Sequence, residues 1–482
     1  MRNYTKHYID GQWVDSFGST VHDVVDPATE NVVGSVVLGG AVDVDRAVTA
    51  AHCAFATYSR TSREERLALL KRICAEYERR SPELAEAVTE EMGSPQWMST
   101  AAQVGIPLQH LRIAIEVLKE YAFEEDRGLS LVRHVPIGVA GLITPWNWPI
   151  LTVLTKLVPA LAVGCTAVLK PSEYAPFSAH LLAEVMDAAG VPAGVFNLVF
   201  GDGETVGSEL SKHPLVSMVS ITGSTRAGAE VARNAAGSVK RVHQELGGKS
   251  PNVILESADI AGSVQRGIQG LMFNSGQSCS GPSRMIVPQS KMDEVIAAAK
   301  GALDAITVGA PSDNPYTGPV VNINQWNRIQ SLIQSGLDEG ATLVGGGVGR
   351  PDGLDKGYYV KPTILADVTP DMIVAREEIF GPVLVIQSYS DTEDAIDIAN
   401  HTEYGLAAYV QGGDIDEVRD VAARIPAGQV YLNGSGIDLF DPTVPFGGHK
   451  KSGNGREWGE YGFEAFLEPV SLVGYHPAPV TP

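Results

Sequence analysis

The sequence predicts an α/β protein made of two doubly wound halves with a small additional β element. Three observations carry this. Short apolar runs alternate with helical patterns from Pro136 to about Glu256, a second alternating region runs from Asn252 to about Val444, and two outlying segments have the pattern of edge strands. With 482 residues, 44% hydrophobic and 19% charged, the chain is long enough for about three domains and has an ordinary globular composition.

The elements follow in order. Asp10-Gly11 between Tyr8-Ile9 and Trp13-Val14 is a tight-hairpin signature. Helical spacing of apolar residues predicts helices from about Val42 to Tyr58 and from about Arg63 to Arg80, the second behind Ser62 as its N-cap. In the first alternating region strands are expected at 139–144, 166–170, 195–200, 216–222 and 241–246, with helices at 150–163, 177–189, 204–212 and 227–236. Strands joined by crossover helices form a parallel sheet, and ligands of such sheets sit outside the carboxyl ends of the strands. The second region begins with helices at 260–274 and 291–306 around a strand at 284–287 and ends with a strand at 429–433. Tyr121–Pro136 and the tail from Phe466 to Tyr475 read as edge strands in need of a partner.

A formal charge of −21 argues against nucleic acid or an anionic membrane as partner, since both call for a basic face. Cys53, Cys74, Cys165 and Cys279 show neither CxxC pairing nor metal-ligand spacing, which points to a reducing compartment and no metal. The first residues carry no apolar signal core, and the most apolar stretch, 142–169, is broken by Pro145, Pro149, Lys156 and Pro159. A cytoplasmic protein is expected.

Several short stretches at predicted strand ends carry chemistry. In Thr144-Pro145-Trp146-Asn147-Trp148-Pro149 two prolines fix a loop in which the Asn147 amide precedes a helix, either to stabilise an oxyanion or merely to cap. Lys170 and Glu173, three apart in KPSE, can grip the two hydroxyls of a ribose, or form a surface ion pair. Glu173 would repel a ribose 2′-phosphate, so NAD would be preferred to NADP. Gly201, Gly203 and Gly207 make GxGxxxG, not the GxGxxG dinucleotide fingerprint. Gly223-Ser224 opens a helix whose N-terminus suits a phosphate or an ordinary turn. Glu245, ending a strand before Gly247-Gly248, is a candidate base. Cys279 lies in a small polar loop after an apolar helix; at an ordinary thiol pKa only about 3% would be thiolate at pH 7, so a nucleophile here needs a helix N-terminus, a cation or a base.

Taken together these stretches resemble the aldehyde dehydrogenase superfamily, whose members are NAD(P)-dependent and acid-forming. The likeness covers nearly the whole chain and rests on TPWNWP (144–149), KPSE (170–173), ITGST (221–225), ELGGKSP (245–251), SGQSC (275–279), EEIFGP (377–382) and PFGGHKKSGNGRE (445–457). The resemblance implies a Rossmann-like cofactor domain (1–117 and 138–247), a catalytic domain (248–450), and an oligomerisation hairpin and tail strand (118–137 and 466–482) that make a homodimer or homotetramer. It places the nucleophile on Cys279, the base on Glu245 and the oxyanion-holding amide on Asn147. Cofactor contacts fall on Ile143, Thr144, Pro145, Trp146, Lys170, Ser172, Glu173, Gly203, Gly207, Gly223, Ser224, Leu246, Glu378 and Phe380. Trp148, Thr152, Thr155, Phe273 and Ser435 fall around the aldehyde entrance. With threonines at two of those walls, a roomy tunnel for neutral aliphatic or aromatic aldehydes is expected, and not a cage for a quaternary ammonium.

Overall fold

The computed structural model describes residues 1–476. The N-terminal hairpin forms as expected, β1 (Lys6–Ile9) against β2 (Gln12–Asp15), with Asp10 and Gly11 both at positive φ in the turn. Three helices follow: α1 (Ala41–Tyr58), α2 (Arg63–Met92) and α3 (Gly105–Glu120). Ser62 caps α2 reciprocally: its hydroxyl accepts from the Glu65 N–H at 3.2 Å, and its own N–H donates to Glu65 Oε2 at 2.7 Å. The expected end at Arg80 is too early. The helix passes through Pro82 because Leu84, Ala85, Ala87 and Val88 beyond it are buried, and it stops only at Gly93, in the left-handed conformation.

A hairpin, β3 (Glu124–Arg127) and β4 (Ser130–Pro136), leads into the first alternating region. There β5 (Val139–Ile143), α4 (Pro149–Val163), β6 (Thr166–Lys170), α5 (Pro176–Ala188), β7 (Phe196–Leu198), β8 (Met218–Thr222), α6 (Thr225–Ala236) and β9 (Arg241–Glu245) succeed one another. The sheet order is β9-β8-β5-β6-β7, all parallel, extended at the far edge by β1 and β2 and beside β9 by Gly453–Asn454. β5 and β6 are buried throughout, as strands covered on both faces by helices must be. The helix expected at 204–212 is split. A π-turn covers Gly203–Gly207, with the Gly207 N–H bonded to the Asp202 carbonyl, and only Ser208–Lys212 is α-helical.

The second region contributes β10 (Pro251–Ile254), α7 (Ile260–Met272), β11 (Arg284–Pro288), α8 (Met292–Asp304), β12 (Thr342–Gly345), β13 (Thr363–Ala366), β14 (Val383–Tyr389), β15 (Ala407–Gln411) and β16 (Gln429–Leu432). They form a sheet in the order β12-β13-β14-β11-β10-β15-β16, parallel except for β12. The two expected edge strands satisfy each other. β17 (Leu467–Val473) pairs antiparallel with all of β4, and with β3 they make a separate three-stranded sheet. Residues 477–482 of the tail lie outside the described residues. Among the described residues no helix is long and apolar enough to cross a membrane.

The register of the first sheet prepares the site. Ile143 pairs with Lys170, Ile221 with Ile143, and Thr222 with Glu245, so four neighbouring strands present their last side chains at one carboxyl edge.

Candidate active site

Along that edge the expected cofactor residues stand close together. Lys170 Nζ lies 3.3 Å from Glu173 Oε2 at the end of β6, with the lysine buried and the glutamate half-buried. Ser172 is buried and its hydroxyl accepts from the Tyr174 N–H. Ser224 caps α6 by accepting from the Ala227 N–H at 3.2 Å, leaving its hydroxyl proton free to donate. Space exists where a ligand backbone must approach: a Cβ at Gly203 would meet nothing within 4 Å, and one at Gly223 only ordinary contacts. Gly207 closes the π-turn, and Leu246 packs against Gly228 of α6. Thr144 Oγ1, beside Ile143 and Pro145, is buried without a hydrogen-bond partner. Across the cleft Glu378 accepts from the Gly248 N–H at 2.8 Å, and the Phe380 ring stands edge-on to Trp146 with centroids 5.5 Å apart. Burial pushes Glu378 up to about 7, against the pull of that N–H.

Beyond this edge lies a cavity of about 320 Å³. Its lining includes Asn147, Trp148, Thr152, Thr155, Glu245, Phe273 and Cys279, residues drawn together from β9, α4 and the loops around them. Ser435 is the exception among the expected entrance residues. Its hydroxyl is engaged with Asp438 Oδ2 at 2.8 Å and it does not face the cavity. The wall is also more aromatic than expected, because Tyr409, Tyr431, Phe440, Phe446 and Trp458 join Trp148 and Phe273. Phe446 and Trp458 stack with centroids 4.5 Å apart, and Tyr409 and Tyr431 stack at 4.8 Å. These residues come from strand positions and a C-terminal loop, where an isolated aromatic gives no sign of which cavity it will line.

The cysteine loop is clamped on both sides. Asn274 and Ser275 sit at φ 55°, a costly conformation held by hydrogen bonds to neighbouring segments. Asn274 Nδ2 and Gln103 Nε2 both donate to the Asn147 carbonyl, at 2.9 and 3.1 Å, and the Val321 N–H donates to Gln277 Oε1. Asn147 in turn donates one Nδ2 proton to the Gln277 carbonyl at 2.9 Å, and the other remains. This network ties the asparagine to the loop that ends at Cys279. Sequence reading missed Gln103, a polar residue with no motif around it, and Asn274, which directly precedes the SGQSC stretch but carries no role in it.

Among the described residues no cation or long helix N-terminus acts on the sulfur. Burial, then the negative charges of Glu378 and Glu245, push the Cys279 thiol up to about 12, although backbone N–H groups of Cys279 and Ser280 pull the other way. Of the three activators a nucleophile here requires, only a base is present. Glu245 is fully buried and held well above the ordinary carboxylate range by desolvation and by the nearby charge of Glu457. Neither of its oxygens has a hydrogen-bond partner. Gly447, at φ 153°, allows Oε1 to sit where a Cβ would lie 2.8 Å away. Glu457 itself is paired with Lys156 of α4, both buried. Burial opposes its charge, but Lys156 more than compensates and holds Glu457 below its usual range.

The arrangement brings together a thiol, an amide, an unpaired carboxyl group and an open polar edge with room for a dinucleotide. A sequence model described as the aldehyde dehydrogenase family matches residues 13–472. A 3-succinoylsemialdehyde-pyridine dehydrogenase from a Pseudomonas species is 51% identical, over 98% of this chain and 99% of its own. The crystal structure of a cysteine-to-alanine variant of aldehyde dehydrogenase C from Pseudomonas syringae, complexed with NAD+ and octanal, matches with a TM-score of 0.97 and 48% identity, covering 99% of this chain and 98% of that one. Betaine aldehyde dehydrogenase from Staphylococcus aureus, in complex with NAD+, matches at 0.94 and 33% identity, with coverage of 99% and 96%.

Proposed function

The chain belongs to the aldehyde dehydrogenase family, and from that premise we propose that Cys279, Asn147 and Glu245 carry out an NAD-dependent oxidation of an aldehyde to its carboxylic acid. The single observation behind the assignment is that one cavity holds all three side chains, next to an edge that fits the cofactor. The fit rests on the unpartnered Thr144 hydroxyl, the Lys170–Glu173 pair and the room at Gly203. Lys170 and Glu173 would hold the adenosine ribose, the α6 N-terminus with Ser224 the phosphates, and Glu378 with Phe380 the nicotinamide side. NAD when bound supplies the hydride acceptor.

Glu245 takes the thiol proton and the Cys279 sulfur adds to the aldehyde carbon, forming a C–S bond and a thiohemiacetal. The free Nδ2 proton of Asn147 and the Cys279 N–H hold the oxygen as it gains charge. After the aldehyde hydrogen has left as hydride, a thioester remains on Cys279. Glu245, having passed the thiol proton on to solvent, then removes a proton from water, the hydroxide adds to the thioester carbon, and the C–S bond breaks to release the acid and the Cys279 thiolate. A carboxylate with no hydrogen bonds and a raised pKa is suited to that task.

The substrate is a neutral aliphatic or aromatic aldehyde. No lysine or arginine lines the cavity to bind a second carboxylate, and its walls are aromatic. The relative bound to octanal and the pyridine semialdehyde enzyme support an apolar body. Aromatic walls also attract a cationic aldehyde, so a substrate panel decides: a strong preference for a quaternary ammonium aldehyde would overturn this reading.

Residues 1–117 and 138–247 form the cofactor domain and 248–450 the catalytic domain in this reading, with Gly453–Asn454 returning to the first sheet. The exposed edge of β17, with Val473 86% exposed, would join subunits of a homodimer or homotetramer. Four unpaired cysteines suit the cytoplasm. NADH formation with an aldehyde, with NADP as control and Cys279→Ala as blank, tests the whole assignment.

A further inference from the structure

His243 lies two residues before Glu245 on β9 and so shares its face of the strand. The ring is fully buried. Its Nδ1 lies 2.9 Å from Ser220 Oγ on β8, the only hydrogen-bond partner found for that hydroxyl. With a proton on Nδ1 the hydroxyl proton would find no acceptor among the described residues, so the hydroxyl is assigned as the donor to Nδ1. The ring proton is therefore on Nε2, which faces Glu245 Oε1 at 3.3 Å. That contact is not yet aligned as a hydrogen bond: Nε2 and both glutamate oxygens have no other partner. Gly455, at φ 81°, makes room for the ring, for a Cβ there would lie 1.9 Å from the imidazole Cδ2.

Two buried groups of matching polarity, side by side and otherwise unsatisfied, call for a reason. We propose that His243 is a positioning residue for acid release: once Glu245 ionises, the Nε2 proton is donated to Oε1 and holds the carboxylate toward the cavity while it draws a proton from water. This rests on Glu245 as the base. The imidazole stays neutral throughout, because burial and Lys156 of α4 keep its pKa down at about 4; Glu457, Arg456 and Arg241 are the other charges that face it. Ser220 holds the tautomer and Gly455 leaves the ring its place, so the donor is aimed before the charge appears.

Stopped-flow NADH formation separates this from a role in packing. With His243→Leu, a burst of about one NADH per active site should still appear, ahead of a steady rate that falls about ten- to hundredfold, the value of one hydrogen bond to a charge. The acid limb of kcat should move to higher pH, because loss of a donor raises the pKa of the carboxylate. His243→Gln, whose amide can still donate, should recover most of the steady rate, and Ser220→Ala should lower it by a smaller factor. A His243→Leu enzyme with unchanged steady rate and unchanged acid limb overturns the proposal. So does equal loss of burst and steady rate with no recovery in His243→Gln. If His243→Leu fails to fold, His243→Gln and Ser220→Ala decide alone, and an acid limb unmoved in Ser220→Ala overturns it. Glu245→Gln is run alongside: near-normal turnover there refutes the base itself, whatever His243 does.

Discussion

The cofactor edge and the aldehyde cavity meet at Glu245, yet they handle polar groups in opposite ways. On the edge, Lys170 is matched by Glu173, Ser172 by the Tyr174 N–H and Ser224 by the Ala227 N–H, each partner within three residues in sequence. At the cavity Glu245 and Thr222, with His243 packed behind Glu245, keep buried polar atoms unpaired, as Thr144 alone among the named residues does on the edge, and the Cys279 thiol is held protonated. An unpaired buried polar group costs about 1–3 kcal/mol, so the cavity is sustained by the packing around it, not by its own contacts. The edge is built to receive a ligand in place of solvent. The cavity is built to react.

If that contrast is right, the largest effects belong to the cavity. Cys279→Ser should lower kcat by about 10⁴ or more, read as NADH formation, because a hydroxyl at the same position is a far weaker nucleophile. Asn147→Ala should cost about 10²–10³ in kcat, with NAD affinity by fluorescence titration unchanged; near-normal turnover would remove the amide from the oxyanion role. On the edge, Glu173→Gln should raise kcat/KM with NADP about tenfold while leaving the NADH burst intact, since only repulsion of a 2′-phosphate is lost.

Smaller effects sharpen the boundary between the two. Trp458→Ala should raise KM for octanal about tenfold and barely change KM for a two-carbon aldehyde, as burial of the longer chain is what the aromatic wall supplies. The pH dependence has a definite sign. Glu245 is held above the ordinary carboxylate range, so kcat should rise with pH well past the range where exposed carboxylates have already ionised. Apo-enzyme alkylation by iodoacetamide should likewise be slow at neutral pH and quicken as pH rises, because burial holds Cys279 up at about 12. Fast alkylation at pH 6 would mean an activating cation that the cavity does not show.

The same contrast explains what could be read without coordinates. Lys170 and Glu173, or Gly223 and Ser224, sit in one short loop at the end of one strand, and their geometry follows once the strand is recognised. The two edge segments, by contrast, read only as strands in need of a partner, and nothing local showed that β4 and β17, more than 300 residues apart, would pair residue for residue with each other. Nor did helix propensity show that α2 would pass through Pro82, which buried residues on its far side decide. Tyr409, Tyr431 and Phe440 lie in segments outside the recognised stretches, and nothing local shows that Phe446 and Trp458, at the two ends of 445–458, stack on each other, so the aromatic wall was undercounted. Ser435, one residue from the lining Gly436, turns away because Asp438 captures its hydroxyl.

What the sequence determined on its own is the alternation that makes parallel sheets and the order of motifs along their carboxyl edges, because periodicity and loop chemistry act between near neighbours. Tertiary structure alone decided which side chains would be left without partners: the raised carboxylate of Glu245, the ring of His243 beside it and the protonated Cys279. Burial and isolation are properties of everything that surrounds a group, and no stretch of chain contains its own surroundings.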